Sequence, residues 1–227
     1  MEIYDSTINQ ILSCVENSKK LDCSTSWKEG NKNEIIFKQD SLYELDGISG
    51  VLYTSNKNIF KQDEIYLLGK DLSEISQDNK YARIVICLID EEKIGEGNTL
   101  YQNLRKIDYV RYHVNPQGYM MRISSFNQKE CVRLSKKAIK DKISFSQIGK
   151  FFIDKYHQLD FVKAIKIIFV TKEDFDYQKI NLLLTKSENI TKTLDHLLNK
   201  VKMDCTSCSL QVVCNEVEKK YKEDFQK

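Results

Sequence analysis

Apolar positions along the chain switch between a helical and a strand-like period, and each switch marks an element. Tyr4, Ile8, Ile11, Leu12 and Val15 recur at helical spacing and predict an opening amphipathic helix. The polar stretch from Leu21 to Asn33, with Gly30, reads as a linker. Glu34 to Lys38 reads as a short strand, and Leu42 to Thr54 as a turn at Gly47 and Gly50 followed by a buried strand at Val51, Leu52 and Tyr53. Glu64 to Leu68 is a further strand, closed by Gly69. Arg83 to Ile89 is almost wholly apolar, the pattern of a central strand covered on both faces. Alternation puts Val85 and Cys87 on one of those faces and Ile84, Ile86 and Leu88 on the other.

Thr99 to Val114 carries Leu100, Leu104 and Ile107 in helical phase, Pro116-Gln117-Gly118 makes a turn, and Met120 to Ser124 reads as a strand. Ser135 to Ile139 starts a short helix. Ser144-Phe145-Ser146-Gln147 has capping-box spacing and opens a helix with Phe145, Ile148, Phe152 and Tyr156 on one face. Ile165 to Val170 is a β-branched strand. Thr171 to Asp174 gives a second N-cap signal, ahead of an amphipathic stretch holding Ile180, Leu183, Leu184, Leu194, Leu197, Leu198 and Val201. Strands and helices alternate, so the expected fold is α/β: a mixed sheet with flanking helices, an N-terminal helical arm and a C-terminal cysteine-containing tail. The corresponding segments are 1–33, 34–202 and 203–227.

Composition narrows the function classes. The 35 basic and 33 acidic residues of the 227 nearly cancel, leaving a net charge of +2 and no footprint for nucleic acid. No apolar run reaches the ~18 residues that span a bilayer, so no membrane role is expected. Met1 to Asp5 lacks the basic and apolar regions of a signal peptide, and the expectation is a cytoplasmic protein with reduced thiols. Phosphate-loop, HExxH and GxSxG motifs are absent, and Gly95-Glu96-Gly97 lacks the third glycine of a dinucleotide fingerprint. His113, His157 and His196 are well spread and read as surface or packing residues.

In a reducing compartment the cysteines carry the strongest signal. Four of the seven, Cys14, Cys23, Cys87 and Cys131, are scattered and read as small half-buried hydrophobes. Cys205, Cys208 and Cys214 lie within ten residues, and a CxxC turn with a third thiolate nearby points to a metal or an iron–sulfur cluster. Structural zinc and cubane clusters both take four ligands. A fourth would come from Cys87, Cys131, a histidine or an exogenous group, and spacing alone does not separate zinc from iron.

Several segments in order resemble the carbon monoxide dehydrogenase/acetyl-CoA synthase beta-subunit family. Lys38-Gln39-Asp40-Ser41-Leu42-Tyr43-Glu44-Leu45-Asp46-Gly47 is similar to that family's basic–Asp–x–x–x–Glu–Leu–Gly–Gly segment, and Ile65 to Ile75 to its strand–Gly–x–Asp–Leu–x–Glu–Ile stretch. Val132-Arg133-Leu134-Ser135-Lys136-Lys137-Ala138 resembles an Arg–Ile–Ser–Lys–x–Ala element. Ile148-Gly149-Lys150, Lys155-Tyr156-His157 and the strand Ile165 to Thr171 follow in register, and Cys205-Thr206-x-Cys208 resembles the family's first two cluster cysteines.

The resemblance implies a role in one-carbon and corrinoid metabolism of an anaerobe. Its expected cofactor is a 4Fe–4S cluster on Cys205, Cys208 and Cys214, with zinc as the alternative. The expected partner is a corrinoid iron–sulfur protein or another protein of the pathway, together with coenzyme A. The family enzyme uses a nickel pair held in part by a Cys-Gly-Cys. None occurs in these 227 residues, and the third cysteine comes early, so the expectation is a shortened relative without the nickel site. A non-enzymatic adaptor with structural zinc is the reading from another class. Arg111, Arg122 and Arg133 are candidates for an anionic cofactor, because arginine is rare here and its fork suits phosphate.

Overall fold

The computed structural model of the protein describes residues 2–32, 34–124, 128–198, 208 and 210–225. The chain opens with α1 (Asp5–Cys14) and β1 (Lys19–Leu21), then runs through β2 (Ser41–Thr54), β3 (Glu64–Leu68) and β4 (Asn79–Ile89). A short α2 (Glu91–Ile94) and α3 (Gly97–Tyr112) follow, then β5 (Tyr119–Ile123), β6 (Lys129–Ser135), α4 (Lys136–Lys140), α5 (Phe145–Tyr156), β7 (Val162–Val170), α6 (Tyr177–Leu198) and α7 (Gln211–Phe225). The strands form one mixed sheet in the order β1-β3-β7-β4-β2-β6-β5. β2 and β4 run parallel, as do β3 and β7, and the remaining pairs are antiparallel. The expected α/β architecture is the one observed.

β4 lies at the middle of the seven, and its residues from Tyr81 to Ile89 are all buried, as the unbroken apolar run requires. Register puts Tyr81, Arg83 and Val85 on the face covered by α5, where the Phe145 ring stacks on Tyr81 and Phe152 lies over Arg83. α5 comes this close because Gly149 has no side chain: a Cβ there would stand 2.8 Å from Ile65 Cδ1. Its start is fixed by a reciprocal capping box between Ser144 and Gln147. The opposite face is covered by α6, whose Leu184 fills the space over Gly50.

Four details differ from the sequence expectation. The Leu42 to Thr54 region has no turn: β2 is continuous, and Gly47 is a point of backbone approach where a Cβ would overlap the Tyr81 carbonyl of β4. Glu34 to Lys38 is not a strand, because side chains take the place of a neighbouring ladder. Ile36 N donates to Met120 Sδ, and Ile36 O accepts from Arg133 Nη1. In the stretch expected as a linker, residues 21–32 are tied down: Leu21 joins β1, Trp27 is buried with its Nε1 donating to Gln117 O at 2.8 Å, and Glu29 bridges Pro116. Thr171 does not cap α6, since its hydroxyl donates to Lys70 O; Asp176 accepts from Lys179 N instead.

The N-terminal segment shares the core. Tyr4, Ile8 and Ile11 of the first turns are fully buried in the same cluster as the sheet, and Tyr4 OH lies 2.9 Å from Thr191 Oγ1 of α6. No helix among the described residues is long and apolar enough to cross a membrane.

Candidate functional site

The C-terminal cysteines flank the start of α7. Cys208 O accepts from Gln211 N and Cys214 N donates to Leu210 O, so both residues belong to the opening turns of that helix. Each is half-buried and outside any disulfide, and Cys214 Sγ lies 3.3 Å from Thr193 Oγ1 of α6. Cys205 lies outside the described residues, as do Val201 and the rest of the connection from α6. Among the described residues no group of three His, Cys, Asp or Glu side chains converges as a metal site. Two of the three proposed thiol ligands are therefore placed on one helix start, and their donor chemistry suits iron or zinc.

The other cysteines are occupied elsewhere. Cys87 is fully buried in β4, where burial pushes its thiol up. Cys131 on β6 is pushed up to about 12, mainly by burial and then by its hydrogen bond to Glu44. Neither thiol gives up a thiolate readily.

The three arginines do not converge. Arg111 is buried at the end of α3 and donates from Nε to Ser49 Oγ at 3.0 Å and from Nη2 to the Ser49 carbonyl. β6 pairs with β2 only as far as Ile48, so Arg111 satisfies an edge carbonyl that has lost its neighbouring strand. Arg133 on β6 pairs with Glu44 at 2.6 Å, and its guanidinium holds the Glu44 carboxyl below the usual range. Arg122 is exposed on the edge strand β5, in register with Cys131. Arg111 and Arg133 thus carry structural loads, and Arg122 stands in solvent.

Sequence reasoning passed over the strongest polar contact in the molecule. Arg83 on β4 and Glu130 on β6 are both 0% exposed and form a two-pronged ion pair, Nε to Oε1 at 3.0 Å and Nη2 to Oε2 at 2.6 Å. Burial opposes the Arg83 charge, but Glu130 more than offsets it and the guanidinium stays protonated. Tyr81 OH and Tyr119 OH, 3.0 Å apart and buried, stand in its field. The signal was present: a lone arginine inside the run Ala82 to Ile89 needs a buried counter-charge.

Comparison with known families gives one match: the model for the CO dehydrogenase/acetyl-CoA synthase complex beta subunit aligns with residues 23–175. No curated protein matches the chain. The matched residues run from Cys23, just after β1, to Phe175, just past β7, so they contain the Arg83–Glu130 pair and all three candidate arginines. α1, α6, α7 and the C-terminal cysteines lie outside them. With a match over well more than half its length, the chain belongs to the CO dehydrogenase/acetyl-CoA synthase complex beta-subunit family.

Proposed function

We propose that this protein is an acetyl-CoA synthase-like subunit of one-carbon metabolism whose α/β domain docks a pathway protein, with a corrinoid iron–sulfur protein as the partner and coenzyme A as a further ligand. In this reading Cys205, Cys208 and Cys214 hold an iron–sulfur cluster, and residues 1–227 by themselves do not assemble a nickel pair. The carrying observation is the family match across the sheet, because that family consists of subunits of a multi-protein complex. Support for the cluster comes from the donor set: Cys208 and Cys214 sit at the start of one helix, free of disulfides, and Cys205 completes a CxxC with the first of them. Soft thiolates in that density suit iron or zinc and do not suit magnesium or calcium.

The test is anaerobic purification with iron, sulfide and zinc analysis and a visible spectrum, alongside a Cys205→Ser/Cys208→Ser/Cys214→Ser variant. Stoichiometric iron with sulfide and a thiolate-to-iron absorption band, both lost in the variant, is the expected result. Stoichiometric zinc without sulfide would replace this reading by the adaptor. A nickel-dependent exchange of carbon monoxide into the acetyl carbonyl by these 227 residues would overturn the claim about nickel.

A further inference from the structure

Beyond the last β2–β6 pair the edge of β2 faces α3 and α6, and a cavity of about 70 Å³ opens there, lined by Gly50, Tyr53, Asp108, Arg111, Gln128 and Glu188. One water needs roughly 10–15 Å³ by this measure, so the cavity admits a ligand of several heavy atoms. Gln128 is 4% exposed and its Oε1 has no hydrogen-bond partner among the described residues. Its amide orientation is fixed from the other side: Nε2 donates to Leu184 O at 3.2 Å and to Glu188 Oε2 at 2.5 Å, and a flipped amide would set oxygen against two acceptors. A buried acceptor left bare costs free energy, and it asks for a donor from whatever fills the cavity.

The lining carries three cations, Arg105, Arg111 and Lys192, against two carboxylates, Asp108 and Glu188, and both carboxylates are engaged. Asp108 meets Arg105 at 3.2 Å and Arg111 at 3.7 Å, and Glu188 meets Lys192 at 2.9 Å. No carboxylate is left to select a cation, and the bare Gln128 oxygen disfavours an anion beside it despite the one surplus positive charge of the lining. Donors for a ligand's own acceptor remain: Arg111 Nη1 reaches only Tyr112 OH at 3.5 Å and Asp108 at 3.7 Å, both long.

We infer that this cavity is a binding site for a small neutral group carrying an N–H donor beside a carbonyl acceptor, a primary carboxamide, which donates to Gln128 Oε1 and accepts from Arg111. The site is independent of the cysteines and of the cluster proposed above. Gly50 shapes it through Leu184: an added Cβ would press within 2.6 Å of Leu184 Cδ2 and push that side chain, which also lines the cavity, from its place.

The experiment is a titration of the whole ¹⁵N-labelled protein with acetamide, acetate and methylammonium, read at the Gln128 side-chain amide. Acetamide should shift that signal saturably, with half-saturation in the millimolar range, while acetate and methylammonium leave it unmoved. In Gly50→Ala the acetamide affinity should drop tenfold or more with a cooperative thermal transition retained. No saturable shift in the wild type, as expected of a cavity holding water only, overturns the proposal. So does equal binding of either ion, and these wild-type results decide even if Gly50→Ala fails to fold. A folded Gly50→Ala that binds acetamide as the wild type does also overturns it.

Discussion

At the centre of the sheet, Arg83 and Glu130 are withdrawn completely from water and meet through two hydrogen bonds, of 3.0 and 2.6 Å. At the other end of the chain, Cys208 and Cys214 are half-exposed, and Cys214 has a single hydroxyl neighbour, Thr193, at 3.3 Å. The first pair leaves Arg83 Nη1 without a hydrogen-bond partner among the described residues, but both side chains are 0% exposed, so no ligand reaches it and its effect is on folding. The second pair keeps its bonding capacity, and little in the apo fold depends on it. Buried, paired groups build this molecule, and groups with spare bonding capacity within reach of a ligand, the half-buried thiols and the Gln128 oxygen, are where the proposed ligands would bind.

The contrast can be broken most directly in β4. Val85 is 1% exposed on the α5-facing side of the central strand. Val85→Asp places a carboxylate there with no counter-charge, since Arg83 on the same face is already engaged by Glu130, and should cost at least ~4 kcal/mol, most of a domain's margin. Thermal denaturation by circular dichroism should show no native transition. A variant melting within a few degrees of the wild type would mean the centre of the sheet tolerates charge.

This region is legible in the sequence because burial on both faces leaves Ile84 to Ile89 without a polar position, so the strand reads without knowledge of its neighbours, while the partner of Arg83 does not. Gly47 was misread for the converse reason. A glycine marks either a turn or a close backbone approach, and only the partner strand β4 decides between them. Glu34 to Lys38 has the β-branched and aromatic content of a strand in Ile35, Ile36 and Phe37, but no ladder lies beside it. The helix α7 was hidden because its apolar positions are few and Val212 is 80% exposed, so the cysteines dominated the reading. Arg111 was chosen for its chemistry, and that chemistry is used on the Ser49 carbonyl, a need visible only once β6 is seen to end early.

A smaller effect is expected from the buried pair itself. Glu130→Ala leaves Arg83 charged and alone beneath Phe152, and should cost about 3–5 kcal/mol in urea denaturation. Replacing both partners, Arg83→Met with Glu130→Leu, should restore most of that loss, because two desolvated charges are exchanged for apolar volume. A double variant no more stable than Glu130→Ala would show that the pair contributes more than mutual compensation.

Thiol reactivity sharpens the comparison without unfolding anything. With its pKa raised to about 12, Cys131 exposes on the order of one thiolate in 10⁴ at pH 8. Its alkylation should therefore rise about tenfold per pH unit through the alkaline range. Cys87, fully buried, should react only through unfolding. Peptide mapping by mass spectrometry at pH 8 should find Cys208 and Cys214 labelled before either. Labelling of Cys131 first would contradict its placement against Glu44.

The smallest effect on the apo protein is expected at Cys214. Ser keeps a group of similar size facing Thr193 Oγ1, and a serine hydroxyl hydrogen-bonds at least as well as a thiol. Cys214→Ser should thus change apo stability by no more than about 1 kcal/mol, since at most one weak hydrogen bond is exchanged for another. If Cys214 holds the proposed cluster, the same substitution removes a ligand after anaerobic reconstitution with iron and sulfide. Anything bound only to the native state raises its stability by an amount that grows with affinity, so the wild type should then melt well above the variant. The two measurements together separate a ligand from a packing residue. Equal melting of wild type and variant in both the apo and the reconstituted protein would place Cys214 with Cys87 and Cys131, among the cysteines that only fill space.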